Sequence, residues 1–528
     1  MSATQRPVAL IKRSLIFVHR WLGVALCLLF LLWFPSGIVL MYWDYPSVEA
    51  EDRLERSPAL DPAMIRLSPA EAYARLETEQ PAPQVRLNTF DGRPVYRFRA
   101  GRGERLIYAD TGEEQMLVPP EMIQRVASAW SRQPVASAKG ESIEEADQWT
   151  LEGGLRDLRP LLKYSWPNGE QVYVSSVTGE VVQYTTNSSR FWAYLGAIPH
   201  WLYFTPLRKN GPQWSQVVIW SSGIGTVAAL LGITIGVWMF SPSKRYRHAG
   251  ASTSIPYRGQ KRLHTILGLI FGVAAATWAF SGMLSMDPFP TNTESGGSAR
   301  SKGKARGGAS IPGALRGRFQ LSAFEAKHPR EALTQLSGLG VKELELTSFA
   351  GEPVYLAVLP KGETRVVPLR GDPMPGFGTD RINGVVQKVA DAVNLTEVRV
   401  LDDYDVYYLD RHHERPLPVV LVRLNDADHT RYYIDPKTAR VVGSYSSQSW
   451  MTRWLYHGLH SLNFPWLYKY RPLWDIVVIS FMVGGTALCV TSLILAWRVV
   501  WRKLDGLVAS RSTSSPAALG EDLVVESD

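Results

Sequence analysis

Four long apolar runs constrain this chain more than any other feature: roughly Leu15–Trp43, Ser215–Phe240, Leu263–Met286 and Asp475–Trp501. Each meets the roughly 20 residues that a helix needs to cross the hydrocarbon core of a bilayer. The 18 tryptophans crowd the ends of these runs, as interfacial belts do. The first run is too long for a signal-peptide core and has no convincing small-residue cleavage site, so a retained anchor is expected.

Basic residues set the expected orientation. Arg6, Lys12 and Arg13 precede the first run. Lys244, Arg245, Arg247, Arg258, Lys261 and Arg262 fill the short loop between the second and third, and Arg498, Arg502 and Lys503 close the fourth. The positive-inside rule then makes both termini and that loop cytoplasmic. The expected plan is a cytoplasmic N-terminus at 1–14, spans at 15–43, 215–240, 263–286 and 475–501, a basic loop at 241–262 and a tail at 502–528. Segments 44–214 and 287–474 lie outside, in the periplasm of a Gram-negative cell, and a Gly/Ser/Lys linker occupies 292–312. The net charge of +8 sits mostly at the span ends, so no nucleic-acid partner is expected. Cys27 and Cys489, the only cysteines, both fall in apolar runs and offer neither a disulfide framework nor a zinc spacing.

The chain is written twice. "HRWLG" at His19–Gly23 matches "HTILG" at His264–Gly268, and an "SG" pair follows at equal distance, since 36 − 19 = 17 and 281 − 264 = 17. "FDGRPVY" (Phe90–Tyr96) matches "FAGEPVY" (Phe349–Tyr355), and "YVSSVTGEVV" (Tyr173–Val182) matches "YIDPKTARVV" (Tyr433–Val442). "WSQVVI" (Trp214–Ile219) matches "WDIVVI" (Trp474–Ile479), with Gly225–Thr226 answering Gly485–Thr486. Each half is one span, one external segment and one returning span. The expectation is an integral membrane, all-α four-helix bundle with an internal two-fold repeat. Alternating strand pairs closed by tight turns add two small α+β lobes.

Two pairs among the ten histidines obey the repeat. His19 and His264 open spans one and three on the inner side. His200 and His460 precede spans two and four on the outer side, 260 apart like Trp214 and Trp474. His457 lies three residues before His460, with Ala197 at its counterpart position. His248, His328, His412, His413 and His429 have no partner and read as surface groups.

A haem iron with two imidazole ligands fits one histidine pair at each face of a bundle. Gly23 and Gly268 lie one helical turn beyond their histidines, where a missing side chain leaves a flat slot. Gly37 and Gly282, 18 residues on, return to that face near the outer side. Close helix packing explains such glycines equally. Zinc competes as the metal, but structural zinc wants four ligands, often including Cys, and each face offers two histidines and no thiolate. Basic neighbours for propionates are Arg20, Lys261 and Arg262 inside, and Arg208, Lys209, Lys469 and Arg471 outside.

"HRWLG" at the first span, the SG near its outer end, "LSPAEAYARL" (Leu67–Leu76), "IYADTGE" (Ile107–Glu113) and "WLYHGLHSLNF" (Trp454–Phe464) resemble the PepSY-associated transmembrane proteins. That family includes iron-regulated inner-membrane proteins and ferric-siderophore reductases of the ferrioxamine type. The resemblance covers roughly residues 12–503. It implies an inner-membrane bundle with two b-type haems, PepSY-like periplasmic lobes and ligands at His19, His264, His200 and His460, with His457 as an extra. It implies electron transfer to a periplasmic ferric siderophore, with release of ferrous iron. No flavodoxin-like or nucleotide-binding domain follows span four, so electrons are expected from a separate cytoplasmic reductant or from quinol. The rival expectation is a non-enzymatic PepSY-type protein that binds or restrains a periplasmic protease or envelope partner. Histidine pairs at both faces favour the former, because a binding module needs none. A transporter is disfavoured, since the spans lack midplane charges and broken-helix pairs.

Overall fold

Helices long and apolar enough to cross a membrane cover Pro7–Leu40, Gly211–Met239, Gly259–Leu284 and Leu473–Asp505. They are the first to fourth spans below. A computed structural model describes residues 5–78, 84–100, 103–116, 118–248, 250–288, 310–410 and 413–512. The first, third and fourth helices outrun their apolar runs by several residues at the end that carries the termini, because a polar turn continues an established helix. Each span packs on two neighbours, first on second, second on third, third on fourth and fourth on first. Small residues let the second and third approach: a Cβ on Gly236 would lie 3.1 Å from Leu269, and one on Gly272 3.0 Å from Ile233. Phe34, Trp278, Trp474, Val478 and Met482 form the buried core at the other end of the bundle. That end carries both long segments and is called the sheet side here; the opposite end is the tail side. The tail side holds a short hairpin of β8 (Tyr246–His248) and β9 (Ala251–Thr253) between the second and third spans.

The sheet side departs from the expectation of two separate lobes. The first segment supplies β1 (Gln84–Phe90), β2 (Arg93–Ala100) and β3 (Gly103–Tyr108); the second supplies β10 (Glu343–Phe349), β11 (Glu352–Val358) and β12 (Thr364–Pro368). These merge into one six-stranded sheet of order β12-β11-β10-β1-β2-β3. The seam is antiparallel, with Val85 opposite Leu346 and Leu87 opposite Leu344. The physical reason is the exposed edge each hairpin set would otherwise present, which pairing removes. Both sets also pool one core, in which Leu87, Tyr96, Ile107, Leu344, Leu346 and Tyr355 are buried together. Asp91–Gly92 and Ala350–Gly351 turn the matched hairpins with positive φ at both residues (47°, 78°, 51° and 87°).

Each segment then builds its own four-stranded antiparallel sheet. The first holds β4 (Lys139–Ile143), β5 (Leu161–Ser165), β6 (Gln171–Ser175) and β7 (Val181–Thr185); the second holds β13 (Leu395–Leu401), β14 (Val419–Leu424), β15 (Arg431–Ile434) and β16 (Val441–Tyr445). A buried polar network binds the shared sheet to the first of these. Arg97, 3% exposed, contacts Glu104 at 3.0 Å and Glu180 at 2.8 Å and donates to Asn88, which reaches Glu343 at 2.8 Å across the seam. Residues 292–309 of the expected linker lie outside the described residues. Ser310 caps a helix at Ile311–Arg316 whose Ile311 is buried, so the linker ends before 310. Tail residues 513–528 and His412 also lie outside the described residues.

Candidate functional site

Both sequence-matched histidine pairs meet inside the bundle. His19 and His264, on the first and third spans, have ring centres 6.2 Å apart at 37°. His200 sits in a short helix, Ala197–Trp201, and His460 in another, Leu459–Ser461. Both helices end on a left-handed leucine, Leu202 (φ 53°) and Leu462 (φ 47°), which turns the chain toward the following span. Their rings are 5.9 Å apart at 65°. Burial pushes His200 down to about 4, and burial with His200 beside it pushes His460 down to about 3. Both rings are therefore neutral at physiological pH, the form that binds a metal.

Hydrogen bonds fix the tautomer of all four rings. His19 Nδ1 lies 2.9 Å from the Ala228 carbonyl, which can only accept. His264 Nδ1 lies 3.1 Å from Thr491 Oγ1, whose own proton goes to the Leu488 carbonyl at 2.7 Å. His200 Nδ1 lies 3.3 Å from Ser36 Oγ and 3.2 Å from the Trp33 carbonyl, and Ser36 donates to Leu32 at 2.6 Å. His460 Nδ1 lies 3.0 Å from Ser281 Oγ, which donates to the Trp278 carbonyl at 3.1 Å. A hydroxyl that gives its one proton to a carbonyl accepts from the ring, as the carbonyls facing His19 and His200 do. Every Nδ1 is therefore the N–H, and every Nε2 keeps its lone pair for a metal. An imidazole nitrogen binds a metal at about 2 Å and its ring centre lies about 1 Å further back, so two axial rings on one metal have centres roughly 6 Å apart. Both pairs match that spacing.

Two chambers surround the pairs. The tail-side chamber, about 630 Å³, is lined by His19, His264, Gly23 and Gly268. A Cβ on Gly23 would meet nothing within 4 Å, and one on Gly268 only Leu488 at 3.9 Å, so both glycines face open space. The sheet-side chamber, about 300 Å³, is lined by His200, His460, Gly282, Trp33, Trp278 and Tyr456, among others. Here the glycines make room for the rings: a Cβ on Gly37 would lie 3.2 Å from His200 Cε1, and one on Gly282 3.7 Å from His460 Cε1. Phe30, Phe34 and Ala275 line both chambers, so an aromatic wall one or two rings thick separates them. Glycines seat that wall, since a Cβ on Gly225 would come within 2.7 Å of Phe30 and one on Gly485 within 2.5 Å of Phe34.

The charged surroundings differ from expectation. Arg20, Arg258, Lys261, Arg498 and Arg502 line the tail-side chamber and no carboxylate among the described residues does, but Arg262 turns away to donate to Thr253 at 2.9 Å. On the sheet side Lys209 pairs with Glu145 at 2.8 Å, Lys469 with Asp403 at 2.7 Å, and Arg471 with Asp475. Arg208 instead stacks on Trp214 at 4.5 Å. His457 is exposed and outside the chamber lining, which leaves His460 as the partner of His200. Among the described residues no three His, Cys, Asp or Glu side chains group as a metal site. The geometry on offer is thus two neighbouring imidazole rings per chamber rather than a cage.

Ser36, Ser281, Thr491, Ala228 and Gly232 were not singled out as site residues by sequence. The recurring SG at a spacing of 17 held the signal for the two serines. Gly232, whose Cβ would lie 2.7 Å from His19 Cε1, had none. The family model described as PepSY-associated TM region matches residues 17–341. No curated protein matches the chain.

Proposed function

Because this multi-pass membrane protein belongs to the PepSY-associated TM family, we propose that it is a transmembrane electron conduit holding two b-type haems, one between His19 and His264 and one between His200 and His460. The observation that carries this reading is the fixed tautomer of all four histidines, with both pairs spaced for a single metal atom. Gly23 and Gly268 leave a flat opening beside the tail-side pair, and five basic side chains ring that chamber where propionates would seek them. Haem, held by His19 with His264 and by His200 with His460, would supply one-electron ferric–ferrous chemistry. The chain's own residues orient the rings, exclude water with aromatic walls and hold the two sites a short distance apart.

We place the termini in the cytoplasm and the sheets in the periplasm of an inner membrane, on the basic residues of the tail side. The internal repeat accounts for two ligand pairs on one bundle. The acceptor we propose is a ferric siderophore, because ferric iron in hard oxygen ligands is released by one-electron reduction. The donor is a cytoplasmic reductant or quinol. A protein that only bound an envelope partner would have no use for four half-buried imidazoles paired across the bundle.

The test is the visible spectrum of the purified full-length protein, oxidised and then reduced. Two low-spin b-type haems are expected, and His19→Ala should remove about half of the haem while sparing the other site. Protein expressed with ample haem that shows no Soret band refutes the proposal. Reduced protein that stays reduced with ferric siderophores, yet is oxidised by another acceptor, keeps the conduit and removes the substrate.

A further inference from the structure

The repeat makes the two flanks of the sheet-side chamber equivalent in sequence, but they are closed differently. The offset 460 − 200 = 260 sets Tyr456 against Gly196. On the His200 flank Gly196 packs against the first span, where a Cβ would lie 2.9 Å from Val39 and 3.3 Å from the backbone nitrogen of Leu40. No side chain fits there. On the His460 flank the chain winds as a π-helix, Met451–Gly458, a rare form concentrated at functional sites. Tyr456 on that helix lines the chamber; its ring lies 5.4 Å from His460 at 28° and 4.9 Å from His457. Since His457 is exposed, this flank is one tyrosine ring thick between chamber and water.

Two arginines, Arg415 and Arg453, lie near His457 beyond Tyr456. Arg415 is exposed; its guanidinium lies over Tyr408 at 5.5 Å and forms no ion pair among the described residues, while its backbone N–H donates to the Asp410 carboxylate at 2.8 Å. Arg453, 3% exposed, donates to the carbonyls of Val406 at 2.5 Å and Asn463 at 3.0 Å, and its Nη1 has no partner among the described residues. These two are the charges that act on His457. On the opposite flank Arg208 is stacked on Tyr203 and Trp214, and Lys209 is neutralised by Glu145.

We infer that electrons leave the sheet-side pair across Tyr456, and that the surface bearing His457 and Arg415 receives an anionic one-electron acceptor. The inference rests on the haem reading above. One electron passes to the acceptor, whose metal falls by one oxidation state, with no bond broken and no proton moved. The unpaired guanidinium charge raises the encounter rate of an anion and lowers that of a cation, in a salt-dependent way.

Full-length protein, reduced without oxygen, is mixed in a stopped-flow instrument with ferricyanide or with hexaammineruthenium(III). At low salt, Arg415→Glu should slow oxidation by ferricyanide about tenfold and speed oxidation by the ruthenium cation, and added salt should erase both effects. Tyr456→Leu should slow both probes, Tyr456→Phe should match wild type, and Arg208→Gln should change neither rate. Retention of the wild-type oxidised spectrum shows that each variant is folded and loaded. If Arg208→Gln alters the rates and Arg415→Glu does not, or if both probes respond alike to Arg415→Glu, the exit assignment is wrong while the haems stand. If the protein shows no haem spectrum, both readings fall.

Discussion

Replacing Gly23 by alanine should strengthen the empty protein and weaken its hold on haem. A Cβ at Gly23 would meet no atom within 4 Å, so the methyl group has no clash to pay for in the chain itself. Alanine is favoured over glycine inside a helix by about 1 kcal/mol, which sets the expected gain in stability. The same methyl stands in the chamber one turn from His19, where the proposed macrocycle would lie flat. Overfilling a close-packed site costs about 1–3 kcal/mol, or roughly a 5- to 150-fold loss of affinity. Gly268→Ala should behave alike, since only Leu488 approaches it, at 3.9 Å. Gly232→Ala is the contrast: its Cβ would press on His19 Cε1 at 2.7 Å, so it should lower both stability and binding. Thermal unfolding of haem-depleted protein and a haem titration followed at the Soret band measure the two quantities separately. A Gly23→Ala protein that is more stable yet binds haem with unchanged affinity and spectrum refutes the slot.

Ser281→Ala removes the acceptor 3.0 Å from His460 Nδ1 and should weaken the sheet-side haem about 10- to 100-fold in the same titration, with the tail-side site unchanged. His460→Ala should abolish the sheet-side haem while His457→Gln retains it, as counted by pyridine haemochrome; the reverse would make His457 the ligand. Arg97→Ala leaves Glu180 and Asn88 without their buried partner, while Glu104 keeps Arg86 at 2.6 Å, and should destabilise the shared sheet by about 1–3 kcal/mol in chemical denaturation. Burial pushes the Glu343 carboxyl above its ordinary value, so the folded state holds that proton more tightly than the unfolded chain. This contribution to stability should be full at low pH and fade as pH rises through the raised value, and Glu343→Gln should remove that slope in unfolding measured from about pH 4.5 to about pH 7.

The spans were legible because an apolar run of about 20 residues needs no partner to declare itself. The histidine pairs were legible only through the repeat, which singled out four of the ten. What orients them was not. The Ala228 carbonyl that receives the His19 proton is backbone, which any residue supplies. Ser36 and Ser281 act on histidines 164 and 179 positions away, a proximity that spacing along one helix does not reveal. The shared sheet escaped for a related reason. Alternation in "QVRLNTF" and "ELELTSF" says that each strand has one buried face, and it is equally satisfied whether β1 ends a lobe or meets β10. Pairing across a seam is decided by edges and a pooled core, which exist only in three dimensions.

A duplicated bundle would carry electrons equally well either way, so direction must come from where the duplication is broken. The tail-side chamber keeps five cations without a lining carboxylate among the described residues, whereas three expected cations of the sheet side are paired with Glu145, Asp403 and Asp475. Positive charge stabilises the electron-rich form of a nearby redox centre, and its neutralisation removes that bias. On charge alone the tail-side haem would have the higher potential, which would hold electrons back rather than send them outward. Two propionate carboxylates set against those five positive groups would shrink this bias without reversing it. The separate midpoint potentials are therefore the decisive measurement. A higher tail-side potential means that outward flow is driven by the acceptor at the His457 face; a lower one means that the bundle itself slopes toward the sheets.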